Sequence, residues 1–292
     1  MKGYKAKFHA TKGNEKCHYA NFGFPAVTTC HCACKYGCDC VKKGECYALL
    51  QERQYPEKMK ADWENLLLYK KSPELFKKSM TEWMVENREQ TMRGNESGDA
   101  PDKNFWWKLK EASVELPGSY YYAYTKEYKE TDFIKDVPVW QWENVNLMLS
   151  AWGDYEPPRE LMEYYKVFAA IPIYMIDEME AKGYVPCPGN CGDGPGQCNI
   201  CKYGTANVYC VIHGSRAIFP IPEEYRRNEK ADPREPGFIK FGGKTIGGVR
   251  DAYCQTKGIK GYENRIQALK TVWRMMKAGA LTVWKNGLLL AA

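Results

Sequence analysis

The sequence has 292 residues, of which 44% are hydrophobic and 27% are charged. This composition excludes disorder as the default state and is typical of a folded globular protein. No apolar run approaches the roughly 18 residues that a membrane-spanning helix needs, and the N-terminal residues lack the apolar core of a signal peptide. We therefore expect a cytoplasmic protein without a membrane partner, large enough for one domain and an appendage.

The first predicted elements are a cysteine-rich loop and a run of helices. Residues 30–46 contain too much Cys and Gly for a regular element, and a helix is expected to begin at Tyr47. Helical periodicity extends over residues 57–88. Ser72 and Pro73 interrupt this periodicity, which predicts that one helix ends there and a second one begins.

Beyond residue 88, short strands alternate with helices. Strands are predicted near residues 90–95, 119–124, 137–140, 146–150 and 166–172, and helices near residues 102–115, 128–135, 158–165 and 173–183. Alternation of this kind predicts an α/β fold with a parallel sheet, closed into a partial or complete β/α barrel. In such folds the functional residues follow the carboxyl ends of the strands.

The chain is expected to divide into three parts. Residues 1–215 form the barrel-like domain, which ends with a second Cys-rich loop at residues 187–201. Residues 216–243 are rich in Pro and charge and are predicted to be a linker. Residues 244–292 are predicted to form a small, basic, mainly helical appendage.

Cysteine is the most informative residue type in the chain. Ten of the thirteen cysteines fall in the two loops, and clustered thiols in a reducing compartment are usually metal ligands or redox groups. The second loop contributes Cys187, Cys191, Cys198 and Cys201. Four thiolates suit a tetrahedral zinc ion or an iron–sulfur cluster, and their spacing does not separate the two. Cys210 and His213 lie close enough in sequence to replace one ligand.

The first loop contains more thiols than one metal ion uses. Its cysteines are Cys30, Cys32, Cys34, Cys38, Cys40 and Cys46. Six thiols predict either one cluster with spare cysteines or more than one metal ion, and spacing alone does not identify the ligands. If only three of them hold a [4Fe–4S] cluster, one iron stays open and becomes a chemical site.

A series of short motifs resembles a known protein family. In chain order they are Pro25-Ala26-Val27-Thr28-Thr29-Cys30, Cys46-Tyr47-Ala48, Arg93-x-Asn95-Glu96-Ser97-Gly98-Asp99, the strand from Tyr120 to Lys126, and the Cys-Pro-Gly loop. Over roughly residues 17–215 this order is similar to that of the phage family known as gene product eighty-eight. The resemblance implies a bacterial or phage-infected cell as the location.

That family in turn resembles the radical S-adenosylmethionine (radical SAM) enzymes, which are partial β/α barrels. The resemblance implies that Cys30, Cys38 and Cys46 hold a [4Fe–4S] cluster, with Cys40 as a close rival to Cys38. The four-cysteine loop would resemble an auxiliary cluster. The chain departs from most of these enzymes because it has no Cys-x3-Cys-x2-Cys motif.

The resemblance also implies a cofactor site at the strand ends. The turn Ser97-Gly98-Asp99 would bind the amine of S-adenosylmethionine, because Gly allows close backbone approach and a carboxylate pairs with an ammonium group. The same three residue types also form ordinary turns. The predicted catalytic residues are Glu96 and Asp99. The predicted cofactor-binding residues are Arg93, Asn95, Ser97, Gly98, Asp99, Tyr124, Lys126 and Ser150.

The sequence therefore predicts a radical SAM iron–sulfur enzyme with two [4Fe–4S] clusters, S-adenosylmethionine, an electron donor and an unknown small-molecule or macromolecular substrate. The alternative is a zinc-stabilised phage nucleic-acid-binding protein without catalysis. Residues 210–292 hold 15 Lys and Arg against 7 Asp and Glu, and two predicted helices within residues 248–278 could bind DNA or RNA. Those helices could equally be a packing appendage.

Overall fold

The computed structural model describes residues 7–14, 16–30, 46–128, 136–152, 156–171 and 175–211, with short helical and strand pieces between residues 268 and 291. The helices are α1 (Tyr47–Gln54), α2 (Pro56–Lys71), α3 (Pro73–Asn87), α4 (Asn104–Glu115), α5 (Arg159–Met162), α6 (Ile176–Ala181) and α7 (Ile200–Tyr203). The strands are β1 (Ala20–Asn21), β2 (Thr91–Gly94), β3 (Tyr120–Thr125), β4 (Val145–Trp152), β5 (Lys166–Ile171), β6 (Val185–Pro186), β7 (Val208–Val211), β8 (Leu281–Val283) and β9 (Leu289–Ala291).

Strands β1 to β7 form one parallel sheet in the order β1-β2-β3-β4-β5-β7-β6. Its first four strands are in chain order, with Ala20 opposite Met92 and Thr91 opposite Tyr120. Parallel neighbours need long connections, and helices α1 to α4 lie in those between β1 and β3. The predicted α/β fold with a parallel sheet is therefore confirmed. Strands β8 and β9 form a separate antiparallel pair.

A cluster of aromatic rings joins the sheet to its helices. Phe22 and Phe24 follow β1, and their rings meet Phe76 of α3 and Phe105 of α4 at centroid distances of 5.4 to 6.2 Å. Phe8 adds a further edge-to-face contact to Phe76 at 5.3 Å. Since all of these side chains are buried, they supply much of the apolar area that fixes the helices on the sheet.

The predicted break between the two long helices is confirmed. The Ser72 hydroxyl accepts a hydrogen bond from the backbone N–H of Leu75 at 3.2 Å, and Pro73 occupies the first turn of α3. This is an N-cap followed by the residue that needs no intrahelical hydrogen bond. Helix α3 ends at Arg88, whose φ of 58° places it in the left-handed region.

The strand predicted near residues 137–140 is wrong. Val139–Gln141 form a 3₁₀ turn, in which the Trp142 N–H donates to the Val139 carbonyl at 3.0 Å. Pro138 precedes this turn and has no N–H to donate to a neighbouring strand, which explains the difference. The other four predicted strands correspond to β2, β3, β4 and β5. Most of the helix predicted at 128–135 lies outside the described residues.

The chain divides into two compact units. Unit 1 contains residues 1–169 and 191–208, and unit 2 contains residues 170–190 and 209–292. In unit 2, the Glu180 carboxylate of α6 accepts hydrogen bonds from the Tyr209 hydroxyl at 2.7 Å and from the Lys270 ammonium group. The predicted domain boundaries at residues 215 and 243 lie outside the described residues and stay predictions.

Within the described part of the chain, none of the helices combines the length and the apolarity that crossing a membrane requires. The longest described helix is α2, with 16 residues, and it carries charged side chains along its length.

Substitution of Phe76 by Ala tests the aromatic cluster. Phe76 is fully buried between Phe24 and Phe105, so its truncation should lower the free energy of unfolding by about 3–5 kcal/mol. Val85→Ala is a matched control, since Val85 lies on the same helix and is 60% exposed. Chemical denaturation measures both variants, and equal midpoints for Phe76→Ala and the wild type would show that the cluster does not hold the helices.

Candidate functional site

The carboxyl ends of β1, β2 and β3 meet at one edge of the sheet. The segment after β1 runs from Phe22 to Cys30, and the segment after β2 contains the turn Ser97-Gly98-Asp99. The Phe24 N–H donates to the Ser97 carbonyl at 2.9 Å, so the two segments are hydrogen-bonded to each other. In this fold a functional site is expected at the carboxyl ends of the strands. The sequence motifs converge at that edge.

The glycine of the turn is required by close packing. Gly98 has a φ of +68°, and a Cβ atom at this position would lie 2.4 Å from the Thr29 Oγ1 and 2.6 Å from the Phe24 carbonyl oxygen. Any other residue would combine an unfavourable backbone conformation with a steric clash. The turn is therefore held directly against the segment that leads to Cys30.

Asp99 ties the ends of β2 and β3 together. Its Oδ1 accepts hydrogen bonds from the Ala100 N–H and the Thr125 hydroxyl, both at 2.8 Å, and its Oδ2 accepts one from the Lys126 N–H at 2.9 Å. Burial raises the pKa of the Asp99 carboxyl above its usual range, while these hydrogen bonds act in the opposite direction. The carboxylate is thus already engaged by the protein. Its predicted roles in catalysis and in binding an amine stay predictions.

Cys30 lies beside this turn. Burial raises the pKa of the Cys30 thiol well above its ordinary value; Asp99 and Cys46 raise it further, and the Lys126 ammonium group lowers it. Thr29, the residue before Cys30, accepts a hydrogen bond from the Asp99 N–H at 3.0 Å. Helix α1, which begins directly after Cys46, is bonded to Ser97 through Glu52. Both ends of the first Cys loop are therefore attached to the turn after β2. Cys38 and Cys40 lie outside the described residues, and their predicted ligation stays a prediction.

A buried carboxylate that no motif revealed holds this edge together. Glu52 of α1 is 4% exposed, and its Oε1 accepts hydrogen bonds from the Ala26 N–H at 2.6 Å and from the Ser97 hydroxyl at 2.8 Å. Hydrogen bonds to a buried carboxylate are among the stronger ones. Glu52 thereby attaches the helix after the first Cys loop to both converging segments.

The predicted catalytic residue Glu96 is part of a second polar group. The Lys58 Nζ lies 3.1 Å from the Glu96 Oε2 and 3.0 Å from the Asp62 Oδ2. Burial raises the pKa of the Asp62 carboxyl to about 6 despite the neighbouring Lys58 ammonium group. The group lies against the turn, since a Cβ atom at Gly23 would lie 2.9 Å from both the Asp62 Oδ1 and the Ser97 backbone nitrogen.

Asn95 presents a polar atom that has no hydrogen-bond partner among the residues that the structure describes. Its Nδ2 donates to the Tyr124 carbonyl at 3.3 Å and to the Asp99 Oδ1 at 3.4 Å. This arrangement fixes the orientation of the amide, and it leaves the buried Asn95 Oδ1 without a hydrogen bond in the structure. Asn95 also has a φ of 53°. Buried acceptors are nearly always satisfied, so an unsatisfied one at a strand end fits a bound donor.

Three of the predicted cofactor-binding residues make side-chain or backbone contacts outside the turn Ser97-Gly98-Asp99. The Ser150 carbonyl accepts a hydrogen bond from the Tyr128 hydroxyl at 2.7 Å. The Arg93 guanidinium lies over the Tyr124 ring, 5.1 Å from its centroid, and the Tyr124 hydroxyl hydrogen-bonds the Cys201 thiol. Arg93 and the Tyr124 side chain therefore border the second Cys loop, although the sequence motifs grouped them with the turn.

The second Cys loop gathers four thiols within unit 1. Cys17 is bridged to Cys191, and Cys191 is bridged to Cys198, in parallel backbone pairings, while Cys201 lies three residues beyond Cys198 on α7. Burial raises the pKa of the Cys201 thiol to about 12. The fourth predicted ligand, Cys187, belongs to unit 2, where its N–H donates to the Tyr209 carbonyl at 2.7 Å.

The described side chains do not form a closed ligand shell. Among the residues that the structure describes, no three or more His, Cys, Asp or Glu side chains are placed so that they could hold a metal ion. None of the eight described cysteines is in a disulfide. The donor set nevertheless fits a metal centre chemically, because thiolates are the ligands that zinc and iron–sulfur clusters take.

The family model described as Gene product 88 matches residues 2–214, well over half of the chain. No curated protein and no solved structure matches it.

Substitution of Asp62 by Asn tests the buried polar group beside the turn. The Asp62 carboxyl has an ordinary pKa of 3.8 that burial raises to about 6, so the folded state binds its proton more tightly than the unfolded state does. Stability therefore falls as the pH rises from about 4 through about 6. The Asn variant should match the wild type near pH 4 and be more stable by about 1–2 kcal/mol near pH 7.5.

Denaturation with urea at several pH values measures this difference. Glu86→Gln, which removes an exposed carboxylate from α3, controls for the general effect of one negative charge. A stability difference between Asp62→Asn and the wild type that stays constant from pH 4 to pH 7.5 would contradict the assignment.

Proposed function

The chain belongs to the phage family Gene product 88, and we propose that it is an iron–sulfur enzyme of the radical S-adenosylmethionine type, built on a partial β/α barrel. The observation that carries the proposal is that both ends of the first Cys loop are held against the turn Ser97-Gly98-Asp99. Cys30 is held there through the bond of its neighbour Thr29 to the Asp99 N–H. Cys46 is held there through the bond of Glu52 in α1 to Ser97. The turn follows the second strand of the parallel sheet, and Cys30 follows the first. A radical S-adenosylmethionine site requires its cluster and its bound cofactor to lie side by side at the strand ends.

The residues that would hold the first cluster are Cys30, Cys46 and one of Cys38 and Cys40. When bound, a [4Fe–4S] cluster with one open iron supplies the electron for the reductive cleavage of S-adenosylmethionine. The proposed cofactors also include a second cluster in the other Cys loop, and an external electron donor is the proposed partner. The substrate class is not proposed.

The residues of the chain would bind and orient the cofactor. The Asn95 Oδ1, which is buried and has no hydrogen-bond partner in the structure, is placed to accept a hydrogen bond from an ammonium group such as the methionine amine. The Asp99 carboxylate lies next to the Asn95 amide and contributes negative charge to the same point. Gly98 allows the turn to pack directly against Phe24 and Thr29, which keeps the turn next to Cys30.

The same residues would exclude water from the site. Glu52, Ser97 and Asp99 are each less than 5% exposed, and their hydrogen bonds fix the turn before any ligand arrives. A preformed polar site in a dry environment stabilises charge without reorganisation. The catalytic role of Glu96, which pairs with Lys58, remains part of the proposal.

The alternative function is zinc-stabilised nucleic-acid binding without catalysis. It depends on the basic residues 244–292, most of which lie outside the described part of the chain. The contacts around Cys30 and Asp99 favour the enzyme, because a structural zinc site needs no buried polar turn beside it.

Anaerobic reconstitution tests the proposal. Protein purified without oxygen and supplied with iron and sulfide should become brown, and reduction with dithionite in the presence of S-adenosylmethionine should release 5′-deoxyadenosine and methionine. Cys30→Ser should abolish this release because it removes a ligand of the first cluster. Cys210→Ser, which changes a cysteine outside both loops, is the control. A colourless protein that contains only zinc would refute the proposal.

Substitution of Asn95 by Gly tests the proposed amine contact. Glycine adopts the left-handed backbone of Asn95 without strain, so the substitution removes the amide oxygen and keeps the turn. Binding of S-adenosylmethionine to the reconstituted protein, measured by isothermal titration calorimetry, should weaken about tenfold or more, which corresponds to the loss of one hydrogen bond to a charged group.

The matched control for this experiment is Arg88→Gly. Arg88 has a φ of 58° and lies at the end of α3, so its replacement makes the same change of backbone at a position without proposed function. Equal affinities for Asn95→Gly, Arg88→Gly and the wild type would remove Asn95 from the site.

A further inference from the structure

We propose that Cys17 is the fourth ligand of a thiolate metal centre whose other ligands are Cys191, Cys198 and Cys201. The N-terminal segment would then complete a site that the second Cys loop begins, in place of Cys187. The ligand is a thiophilic metal, either one zinc ion or an iron–sulfur cluster. This inference does not depend on the proposed enzymatic function, because a centre of either kind forms whether or not the chain cleaves S-adenosylmethionine.

The backbone aligns three of the four cysteines in one row. The His18 N–H donates to the Cys191 carbonyl at 2.9 Å, the Cys191 N–H donates to the Lys16 carbonyl at 3.0 Å, and the Gly192 N–H donates to the Cys198 carbonyl at 2.9 Å. In both resulting bridges, Cys17 to Cys191 and Cys191 to Cys198, the segments run parallel. Residues paired in this way point to the same face, so the three thiols share one side of the row.

The spacing of the row suits thiolate ligation. Neighbouring extended segments lie about 4.8 Å apart, and zinc–sulfur bonds of about 2.3 Å place ligand sulfurs about 3.8 Å from each other. A cysteine side chain reaches its other staggered positions by rotation about a single bond. The two outer cysteines of the row, Cys17 and Cys198, are separated by two such spacings, about 9.6 Å. Ligation would therefore require their side chains to rotate inward over Cys191.

Cys201 stands beside the row and completes the set. It is 5% exposed, and Cys17 is 6% exposed. The backbone bridges join Cys17 to Cys191 and Cys191 to Cys198, and Cys201 follows Cys198 by three residues on α7. Every member of the proposed set thus has another member as a neighbour, and two of the four thiols are withdrawn from water.

Polar groups lie beside two of the four thiols, Cys17 and Cys201. The Tyr122 hydroxyl lies 3.6 Å from the Cys17 Sγ, and the Tyr124 hydroxyl hydrogen-bonds Cys201. The Arg93 guanidinium acts electrostatically on both thiols. Hydrogen bonds and positive charge around sulfur ligands stabilise the thiolate form and orient it.

The N-terminal turn is shaped to present Cys17. The Asn14 N–H donates to the Cys17 carbonyl at 2.7 Å, and the Cys17 N–H donates to the Asn14 carbonyl at 3.1 Å. Gly13 precedes this turn with a φ of +88°, and a Cβ atom there would lie 2.4 Å from the Cys17 carbonyl oxygen. The tight turn is therefore possible only with glycine at position 13, and it fixes the place of Cys17 in the row.

The experiment isolates this centre in the full-length chain. The background variant carries serine at all six cysteines from Cys30 to Cys46, so only the proposed centre and the remaining cysteines are left. Zinc and iron are measured per chain after anaerobic purification and after loading with Zn²⁺ alone. In this background Cys17→Ser should reduce bound metal at least tenfold, as Cys191→Ser does, whereas Cys187→Ser and Cys210→Ser should retain it.

A second measurement guards against a variant that fails to fold. X-ray absorption at the zinc edge of the zinc-loaded background, and of the same protein with Cys187→Ser, should show four sulfur ligands in both. Full metal retention by Cys17→Ser, loss of metal from Cys187→Ser, or fewer than four sulfurs in either spectrum would each overturn the ligand set. A disulfide between Cys17 and Cys191 in anaerobically purified protein, detected by mass spectrometry, would overturn it as well.

These outcomes separate the inference from the proposed function. Zinc bound by the four thiols with no release of 5′-deoxyadenosine from the wild type would uphold the metal centre and refute the enzyme. If the wild type cleaves S-adenosylmethionine and the Cys17→Ser variant retains all its metal, the enzyme is upheld and the proposed ligand set is refuted.

Discussion

The buried Asp99 carboxylate is the interaction on which the strand-end site depends. It accepts hydrogen bonds from Thr125 and Lys126 at the end of β3 while belonging to the turn that follows β2. Placing a carboxylate in the interior costs several kcal/mol unless hydrogen bonds replace its hydration, and charge-assisted hydrogen bonds return about 1.5–3 kcal/mol each. The hydrogen bonds offset the cost of burying the carboxylate only when the ends of β2 and β3 are in register. Asp99 therefore couples the geometry of the site to the correct pairing of the two strands.

Glu52 extends this coupling to the first Cys loop. Its hydrogen bonds to Ala26 and Ser97 bring α1 against the same turn, and α1 begins directly after Cys46. The loop from Cys30 to Cys46 is therefore anchored at both ends by contacts to one turn. Two buried carboxylates, Glu52 and Asp99, thus fix where the loop starts and stops, whatever its middle residues bind.

Local sequence patterns predicted the helices and strands more accurately than they predicted the contacts between them. The alternation of short strands and helices predicted a parallel sheet, and the break at Ser72 and Pro73 was predicted from capping chemistry that acts within four residues. The strand predicted at 137–140 failed because Val137 and Val139 favour strands while Pro138 removes the donor that a strand needs. Hydrophobic periodicity does not detect the missing N–H.

The candidate site was predictable only where its residues are close in sequence. The turn Ser97-Gly98-Asp99 was identified as a site, and the structure places it against Thr29, the residue before Cys30. Glu52 was missed because a single Glu in a helix resembles any solvated residue until its burial is known. The sequence assigned no role to Cys17 because its neighbour Cys191 lies 174 residues away, and no spacing rule spans such a distance. A backbone bridge outside the named strands supplies that information.

The two groups of cysteines are linked through one residue of β3. The Tyr124 carbonyl accepts the hydrogen bond of Asn95 at the strand-end site, while the Tyr124 hydroxyl hydrogen-bonds Cys201 in the second group. Arg93, two residues before Asn95, lies over the same tyrosine ring. A zinc ion in the second group would use this link only to hold the strand ends in place, since zinc has no redox chemistry. An iron–sulfur cluster there would be joined to the strand-end site through adjacent residues of two paired strands. If both groups of cysteines hold the proposed clusters, Tyr124 would connect two redox centres.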